Sequence, residues 1–382
     1  MPSLSESYRN HPVHVHHKHP DLYSLQELPE SYTWTNLNND HTYPSCNNNS
    51  EGSSSSLSVP VIDLNDPNAS KLIGHACKTW GVFQIVNHGV PLSLLDDIEW
   101  AGRNLFSLPS HQKLKASRSP DGVSGYGLAR ISSFFPKLMW SEGFTIVGSP
   151  LDHFCQLWPH DYTKYCDIVM QYNDTMKKLA GKLMWLMLDS LGITEEDLNW
   201  AGSMGQFNEA CAALQLNSYP SCPDPDRAMG LAPHTDSTLF TILYQNNISG
   251  LQVKQDGGSG GWVTVPPLPA GLVINVGDLF HILSNGLYSS VLHRVIVNRT
   301  RQRFSVAYLY GPPTNVEICP HAKLVGPTRP ALYRAVTWSE YLGTKAKHFN
   351  KALSYVQLCA PSSINGGLFD VNESHKSSVQ VG

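Results

Sequence analysis

The chain has 382 residues, of which 41% are hydrophobic and 15% charged, with a formal net charge of −4. That length allows a large core in one domain or two, and the slight negative balance leaves no footprint for nucleic acid or an anionic membrane surface. No run approaches the roughly 18 apolar residues of a spanning helix. The first residues also lack the apolar stretch of a secretory signal.

Residues 1–56 read as a disordered leader. His11, His14, His16, His17 and His19 crowd one short segment, which could be a metal tract or, as expected here, a solvated arm. From Asn36 to Ser56 the composition is mostly Asn, Ser and Gly, too little apolar surface to offset the entropy of ordering. Order is expected to begin with a strand over Val59–Leu64, followed by a helix over Asn68–Trp80. A second strand, Gly81–Pro91, closes in turn residues and carries His88, read as structural because no carboxylate stands at ligand spacing beside it. Pro91–Ser107 predicts an amphipathic helix through Leu92, Leu95, Ile98, Leu105 and Phe106. Gly122–Pro159 is rich in Gly, Ser and aromatic residues and is either a lid or substrate wall or an irregular surface crossing. These elements make up an N-terminal region over 57–165.

The longest helix is expected over Cys166–Leu191. Val169, Tyr172, Met176, Leu179, Leu183, Leu186 and Met187 form its core stripe, and a connector extends this unit to 205. From Ala212 the character changes to short β-type runs: Leu214–Tyr219, Ser237–Gln245, Leu251–Lys254, Trp262–Val265, Gly271–Val276, Val291–Val297 and Phe304–Tyr310. Turn clusters separate them, which points to a sandwich or jelly roll over 206–315. A C-terminal helical region is expected over 316–360 and a frayed polar tail over 361–382. The eight cysteines include no CxxC pair. They read as reduced thiols in a cytoplasmic or nuclear protein.

The chemistry concentrates on His234-Thr235-Asp236. On an extended strand the side chains at i and i+2 share a face, so His234 and Asp236 can converge on one point. Two imidazoles and a carboxylate form the ligand set of a mononuclear non-haem Fe(II) oxygenase, and His293, on a later β-branched run, can supply the second imidazole. Arg303 and Ser305 again sit at i and i+2. A planar guanidinium can hold a carboxylate with two parallel hydrogen bonds, to which a serine hydroxyl adds a third. The short polar turn Asn298–Gln302 reads as a hairpin that would put His293 and Arg303 on neighbouring strands. Together the five residues suggest iron chelated by a small keto-diacid.

With these motifs the chain resembles the plant 2-oxoglutarate- and Fe(II)-dependent dioxygenases of the isopenicillin-N-synthase-like class, and within that class the gibberellin 3-beta-dioxygenase (3-beta-hydroxylase) branch. The likeness runs from about Leu57 to Ser354. It is densest over Leu216–Pro223, Ala228–Thr238, Leu243–Asn247, Val276–Gly286 and His348–Leu353. It implies an α+β fold with a double-stranded β-helix (jelly-roll) core and flanking helices. It implies His234, Asp236 and His293 as Fe(II) ligands and Arg303 and Ser305 as holders of the distal carboxylate of the co-substrate 2-oxoglutarate, with Tyr219 and Asn217 completing that pocket and ascorbate as reductant. The implied reaction is 3-beta-hydroxylation of a C19 gibberellin (GA9 to GA4, GA20 to GA1) by a monomer that binds the gibberellin, 2-oxoglutarate and O2, with no nucleic acid or membrane partner. A rigid apolar acid of this kind would want an aromatic wall and one cation, for which Phe134, Trp140 and Arg130 are candidates by type and position. Three other readings compete. A related dioxygenase could act on another gibberellin position or a flavonoid. A zinc hydrolase would have no use for Arg303 and Ser305, and a non-catalytic jelly-roll binding module would retain a costly buried triad.

Overall fold

Two sheets organise the strand-rich half of the chain in the computed structural model, which describes residues 21–35, 58–120, 122–202, 207–254 and 261–358. The strands are β1 (Val61–Asp63), β2 (Val82–Val86), β3 (Gly125–Gly127), β4 (Glu142–Ile146), β5 (Cys211–Tyr219), β6 (Met229–His234) and β7 (Phe240–Gln245). They continue with β8 (Leu251–Lys254), β9 (Trp262–Thr264), β10 (Leu272–Val276), β11 (Leu292–Ile296), β12 (Arg303–Gly311), β13 (Glu317–Ile318) and β14 (Val336–Thr337). The main sheet has the order β1-β2-β10-β7-β12-β5-β4-β3, the minor sheet β6-β11-β8-β9, and β13 and β14 form a separate ribbon. Strands β5 to β12 are thus shared between two sheets and pair antiparallel within each, which is the jelly-roll core of an α+β protein.

The period of two along the main-sheet strands sorts their side chains between two environments. On β12, Phe304, Val306, Tyr308 and Tyr310 join the large core under the helices, whereas Arg303, Ser305, Ala307 and Leu309 line a cavity on the opposite face. Strand β5 does the same, with Leu214 and Leu216 in the core and Gln215, Asn217 and Tyr219 in the cavity. The helices that cover the core face are α1 (Ala69–Thr79), α2 (Leu92–Ser107), α3 (Ser110–Lys113), α4 (Leu151–Leu157) and α5 (Tyr162–Asp189). The predicted stripe of α5 is buried at Val169, Tyr172, Met176, Leu179, Leu183 and Met187, while Leu186 is only partly covered. Helix α2 lies close on β12 because Gly102 has no side chain: a Cβ there would come within 2.2 Å of the Phe304 ring. Three more helices, α6 (Asp278–Leu283), α7 (Trp338–His348) and α8 (Ala352–Val356), follow within and after the roll.

Three expectations are corrected. The leader reading of 1–56 fails over residues 21–35, which pack on the fold. Leu22 and Tyr32 are buried there, the Tyr23 and Ser218 hydroxyls are hydrogen-bonded at 2.7 Å, and Trp34 Nε1 donates to Leu138 O. These apolar side chains, scattered among polar ones, cover the outer side of β5 and the loop before β4. The histidine cluster and the remaining leader, like the tail, lie outside the described residues. Second, the turn after β11 is not a hairpin. Strand β11 pairs with β6 and β8, and β12 with β5 and β7, so the chain crosses from one sheet to the other. Both strands are interior, each already flanked on both edges, and neither has an edge free for the other. Third, strands β3, β4, β6, β13 and β14 were not foreseen. Within Gly122–Pro159, Val123, Ala129, Arg130, Ile131, Ser133 and Phe134 line the cavity, but the segment is not an irregular surface crossing, since β3 and β4 belong to the main sheet and β4 is buried throughout.

Candidate active site

Strand β6 ends at His234, and β11 places His293 directly opposite it in the antiparallel register. Such cross-strand partners have adjacent side chains, and the two imidazole centroids lie 4.2 Å apart. Each ring is oriented by its own backbone: Nδ1 of His234 donates to Ala232 O at 2.8 Å and Nδ1 of His293 to Val291 O at 3.2 Å. The Nε2 lone pairs are thereby left to face Asp236, whose Oδ1 lies 3.7 Å from His234 Nε2 and 3.8 Å from His293 Nε2. One ligand atom from each of the three residues falls within 4.8 Å of the others, a spacing that can hold one metal ion. Asp236 lies just beyond the strand, yet it converges as an i, i+2 partner should. Its Oδ2 accepts from Thr241 Oγ1 at 2.6 Å.

The electrostatics suit a cation. Burial, reinforced by His293, pushes His234 well below the ordinary imidazole range, so that it is a neutral ligand with a free lone pair. Burial alone would raise Asp236, but the two imidazoles and the Thr241 hydroxyl outweigh it and hold the carboxyl below its usual range. The site therefore offers the neutral imidazole of His234 and the carboxylate of Asp236, with the His293 ring beside them.

A second buried carboxylate supports this turn. Asp278, 1% exposed at the start of α6, donates its backbone N–H to Asp236 O at 2.8 Å. Its Oδ1 accepts from Ser290, and its Oδ2 from Tyr341, Thr235 and the Lys345 ammonium. Lys345 also donates to Thr235 Oγ1. Helix α7 is thus fastened to the residue between His234 and Asp236. The close seat of this loop requires Gly277, where a Cβ would meet Thr238 O at 2.2 Å.

On the main sheet the register sets Arg303 opposite Tyr219 and Ser305 opposite Asn217. All four side chains face one cavity of about 450 Å³, which also contains His234, Asp236 and His293. Arg303 is 1% exposed; its guanidinium donates to Gln245 Oε1 at 2.8 Å and to Ser305 Oγ at 3.3 Å and lies 5.1 Å from the Tyr219 ring centre. Nε has no partner, and among the described residues no carboxylate forms an ion pair with this buried cation. Burial draws Arg303 down, with Tyr219 opposing, and burial raises the Tyr219 phenol. The phenol stays protonated, and the guanidinium carries the charge at this end.

Arg130, Ile131 and Phe134 line the same cavity as Trp338, Leu342, Ala346 and Phe349 of the C-terminal segment. Of the wall candidates, Arg130 and Phe134 therefore line the cavity. Trp140 does not: it is wholly buried, packed edge-on against Tyr32 at 5.4 Å with Nε1 donating to Pro220 O. Segment 21–35, missed as structure, claims that ring. Sequence reasoning also missed Thr241, Gln245, Asp278 and Lys345. Asp278 did carry a signal, a lone carboxylate in the apolar run Val276-Gly277-Asp278-Leu279-Phe280, which must find partners if buried.

The family model described as 2OG-Fe(II) oxygenase superfamily matches residues 210–312, and one described as non-haem dioxygenase in morphine synthesis N-terminal matches 59–161. Gibberellin 3-beta-dioxygenase 1 of Pisum sativum is 78% identical over 382 residues, all of both chains. The chain belongs to the gibberellin 3-beta-dioxygenase family of 2OG-Fe(II) oxygenases. The Arabidopsis thaliana family member gibberellin 3-beta-dioxygenase 1 is 59% identical over 94% of this chain and 99% of its own. Among solved structures, JOX2 in complex with 2OG, Fe and JA aligns with a TM-score of 0.68 and 32% identity, over 83% of this chain and 89% of that one. The dioxygenase for auxin oxidation of rice aligns with a TM-score of 0.65 and 26% identity, over 78% and 100%.

This family uses Fe(II) and 2-oxoglutarate, and the residues fit both. Imidazole and carboxylate donors suit Fe(II), and a buried guanidinium without a counter-charge suits an incoming carboxylate.

Proposed function

We propose that the chain hydroxylates C19 gibberellins at the 3-beta position, with 2-oxoglutarate and O2 as co-substrates (GA9 to GA4, GA20 to GA1). The observation that carries the reading is the union in one cavity of a three-residue metal cluster and an unpaired buried cation. The 78% identity to the pea relative supports the choice of substrate and position.

His234, Asp236 and His293 hold the metal through Nε2, a carboxylate oxygen and Nε2. Their Nδ1 hydrogen bonds and the Thr241 contact keep these donors aimed without rearrangement. Arg303 and Ser305 take the distal carboxylate of 2-oxoglutarate, with Tyr219 and Asn217 beside it. Gln245 holds the guanidinium from behind. When bound, Fe(II) and 2-oxoglutarate supply the oxidising chemistry, in which O2 is consumed, CO2 and succinate are formed and one oxygen atom goes to the substrate. The chain itself orients the reactants and excludes water. No side chain has to remove a proton from substrate.

The reading extends to a monomer in the cytoplasm or nucleus. In support, one chain completes the cavity, and Cys77, Cys155, Cys166, Cys211, Cys222 and Cys319 are all free thiols. No helix among the described residues is long and apolar enough to cross a membrane.

The deciding experiment is an anaerobic Fe(II) and 2-oxoglutarate titration, followed by O2, ascorbate and GA9, with products read by mass spectrometry. Succinate formed in step with 3-beta-hydroxylated product is expected. Succinate without a gibberellin product overturns the substrate, and no succinate overturns the site.

A further inference from the structure

The opening of the cavity is bordered by two segments far apart in sequence, and they meet through aromatic rings. Phe134 stacks on Phe349 with centroids 4.7 Å apart and planes 19° from parallel. Phe135 meets the Phe349 ring edge-on at 5.4 Å and is itself backed by Trp34 at 5.4 Å. Both stacked residues line the same cavity as the metal cluster and Arg303.

The two sides of the stack are anchored unequally. Phe349 ends α7, which Lys345 fastens to Asp278 and Thr235, and the next residue, Asn350, donates to Pro233 O beside His234. The Phe349 backbone adopts φ 49° and ψ −123°, a positive-φ conformation that a bulky residue takes only when its surroundings impose it. The ring is thus held in place over the opening at a conformational cost. Phe134 ends the short 3-10 turn Arg130–Phe134, in which no residue is buried, and is 37% exposed. An exposed aromatic side chain stacked on a strained, anchored one is the arrangement of a fixed jaw and a yielding one.

We propose that Phe134 and Phe349 form an aromatic clasp that selects the substrate skeleton. The clasp parts to admit a rigid, fused-ring apolar acid and then covers the face of that skeleton turned away from the metal. The inference rests on the gibberellin reading above and deepens it by naming side chains that discriminate among skeletons. Ile131 and Leu342, beside the pair, continue the apolar wall, while the polar Asn217, Tyr219 and Arg303 lie on the main sheet at the co-substrate end. The two ligands therefore meet different surfaces, and a change at the clasp should register on one of them alone.

The test uses the full chain with Fe(II) and 2-oxoglutarate under nitrogen, titrated with GA9 and followed by tryptophan fluorescence, since Trp338 lines the cavity. Steady-state assays with O2 accompany the titration. Phe134→Ala should raise both the Kd and the KM for GA9 by about tenfold, as expected when a large apolar side chain no longer covers a ligand face. The KM for 2-oxoglutarate and the melting temperature should stay unchanged, and more succinate should form per hydroxylated product. Phe134→Leu should fall between parent and Phe134→Ala, and Phe349→Gly, which also relieves the backbone, should reproduce the affinity loss. An unchanged GA9 Kd in folded Phe134→Ala overturns the clasp while leaving the gibberellin reading intact. A parent chain that binds 2-oxoglutarate but not GA9 overturns that reading, and the clasp falls with it.

Discussion

Replacing Asp278 with Asn tests whether the C-terminal helix and the metal-binding turn are one mechanical unit. The Asp278 carboxylate is 1% exposed and is the ion-pair partner of Lys345, whose side chain is 12% exposed. The amide is nearly isosteric but neutral, so its oxygen can still accept from Lys345 while the ammonium loses its counter-charge. Removing one partner of a buried pair costs roughly 3–5 kcal/mol. The partial exposure of Lys345 argues for about 3 kcal/mol, which in a chain of this size lowers the melting temperature by about 4 °C. Lys345→Met leaves Asp278 its bonds from Ser290, Tyr341 and Thr235 but strands a carboxylate that is 1% exposed, and should also cost about 3 kcal/mol. In the double variant neither charge remains unpaired, so the effects should fall short of additive by about 2 kcal/mol. Thermal unfolding of the four proteins measures the cycle, and GA9 turnover follows it because α7 carries Trp338, Leu342 and Ala346 of the cavity wall. Strict additivity, or a loss below about 1 kcal/mol in Asp278→Asn, would refute the reasoning.

Arg303→Lys keeps the charge but loses the two-pronged geometry; it should raise the KM for 2-oxoglutarate about ten- to a hundredfold and leave the KM for GA9 nearly unchanged. Equal effects on both would count against the anchor role. His234→Ala and Asp236→Ala should each lose bound iron as well as turnover, and a full equivalent of iron by metal analysis in either variant would remove that residue from the ligand set. His88 offers a pH test away from the site. Burial lowers its pKa from 6.5 and outweighs the opposing hydrogen bond that Nε2 donates to Ala270 O at 2.7 Å, while Nδ1 accepts Val90 N–H at 3.1 Å, as only a neutral ring can. The unfolded chain therefore takes up the proton first, and this contribution to stability is present above 6.5 and declines as the pH falls below it. His88→Gln should flatten the acid limb of a melting-temperature profile, and an unchanged profile would contradict that origin.

The site was more legible in the sequence than the frame around it, for identifiable reasons. Metal and carboxylate chemistry restricts residue type and spacing, so His234, Asp236, Arg303 and Ser305 stand out at i and i+2, and the cavity brings together all the residues named for iron and 2-oxoglutarate. Strand β6 was hidden because Met229-Gly230-Leu231-Ala232-Pro233 has no β-branched residue and includes both Gly and Pro. Its place comes from pairing with β11, a tertiary effect. Trp140 was assigned to the cavity by size alone, and only its contact with Tyr32 reveals the segment that covers it. Partners such as Lys345 and Asp278 are far apart in the chain and meet through the docking of α7, which no local pattern encodes.

The crossing between β11 and β12 makes the turn Asn298–Gln302 a link between the two sheets. His293 stands on one sheet and Arg303 on the other, so the separation of these two side chains is set by how the sheets pack. Asn298 Oδ1 braces this turn by accepting from the backbone of Thr300 and Arg301, both at 3.0 Å. Each strand is fixed by both of its sheet neighbours, so a residue inserted here should be absorbed within the turn, and the reach between His293 and Arg303 changes only with the packing between the sheets.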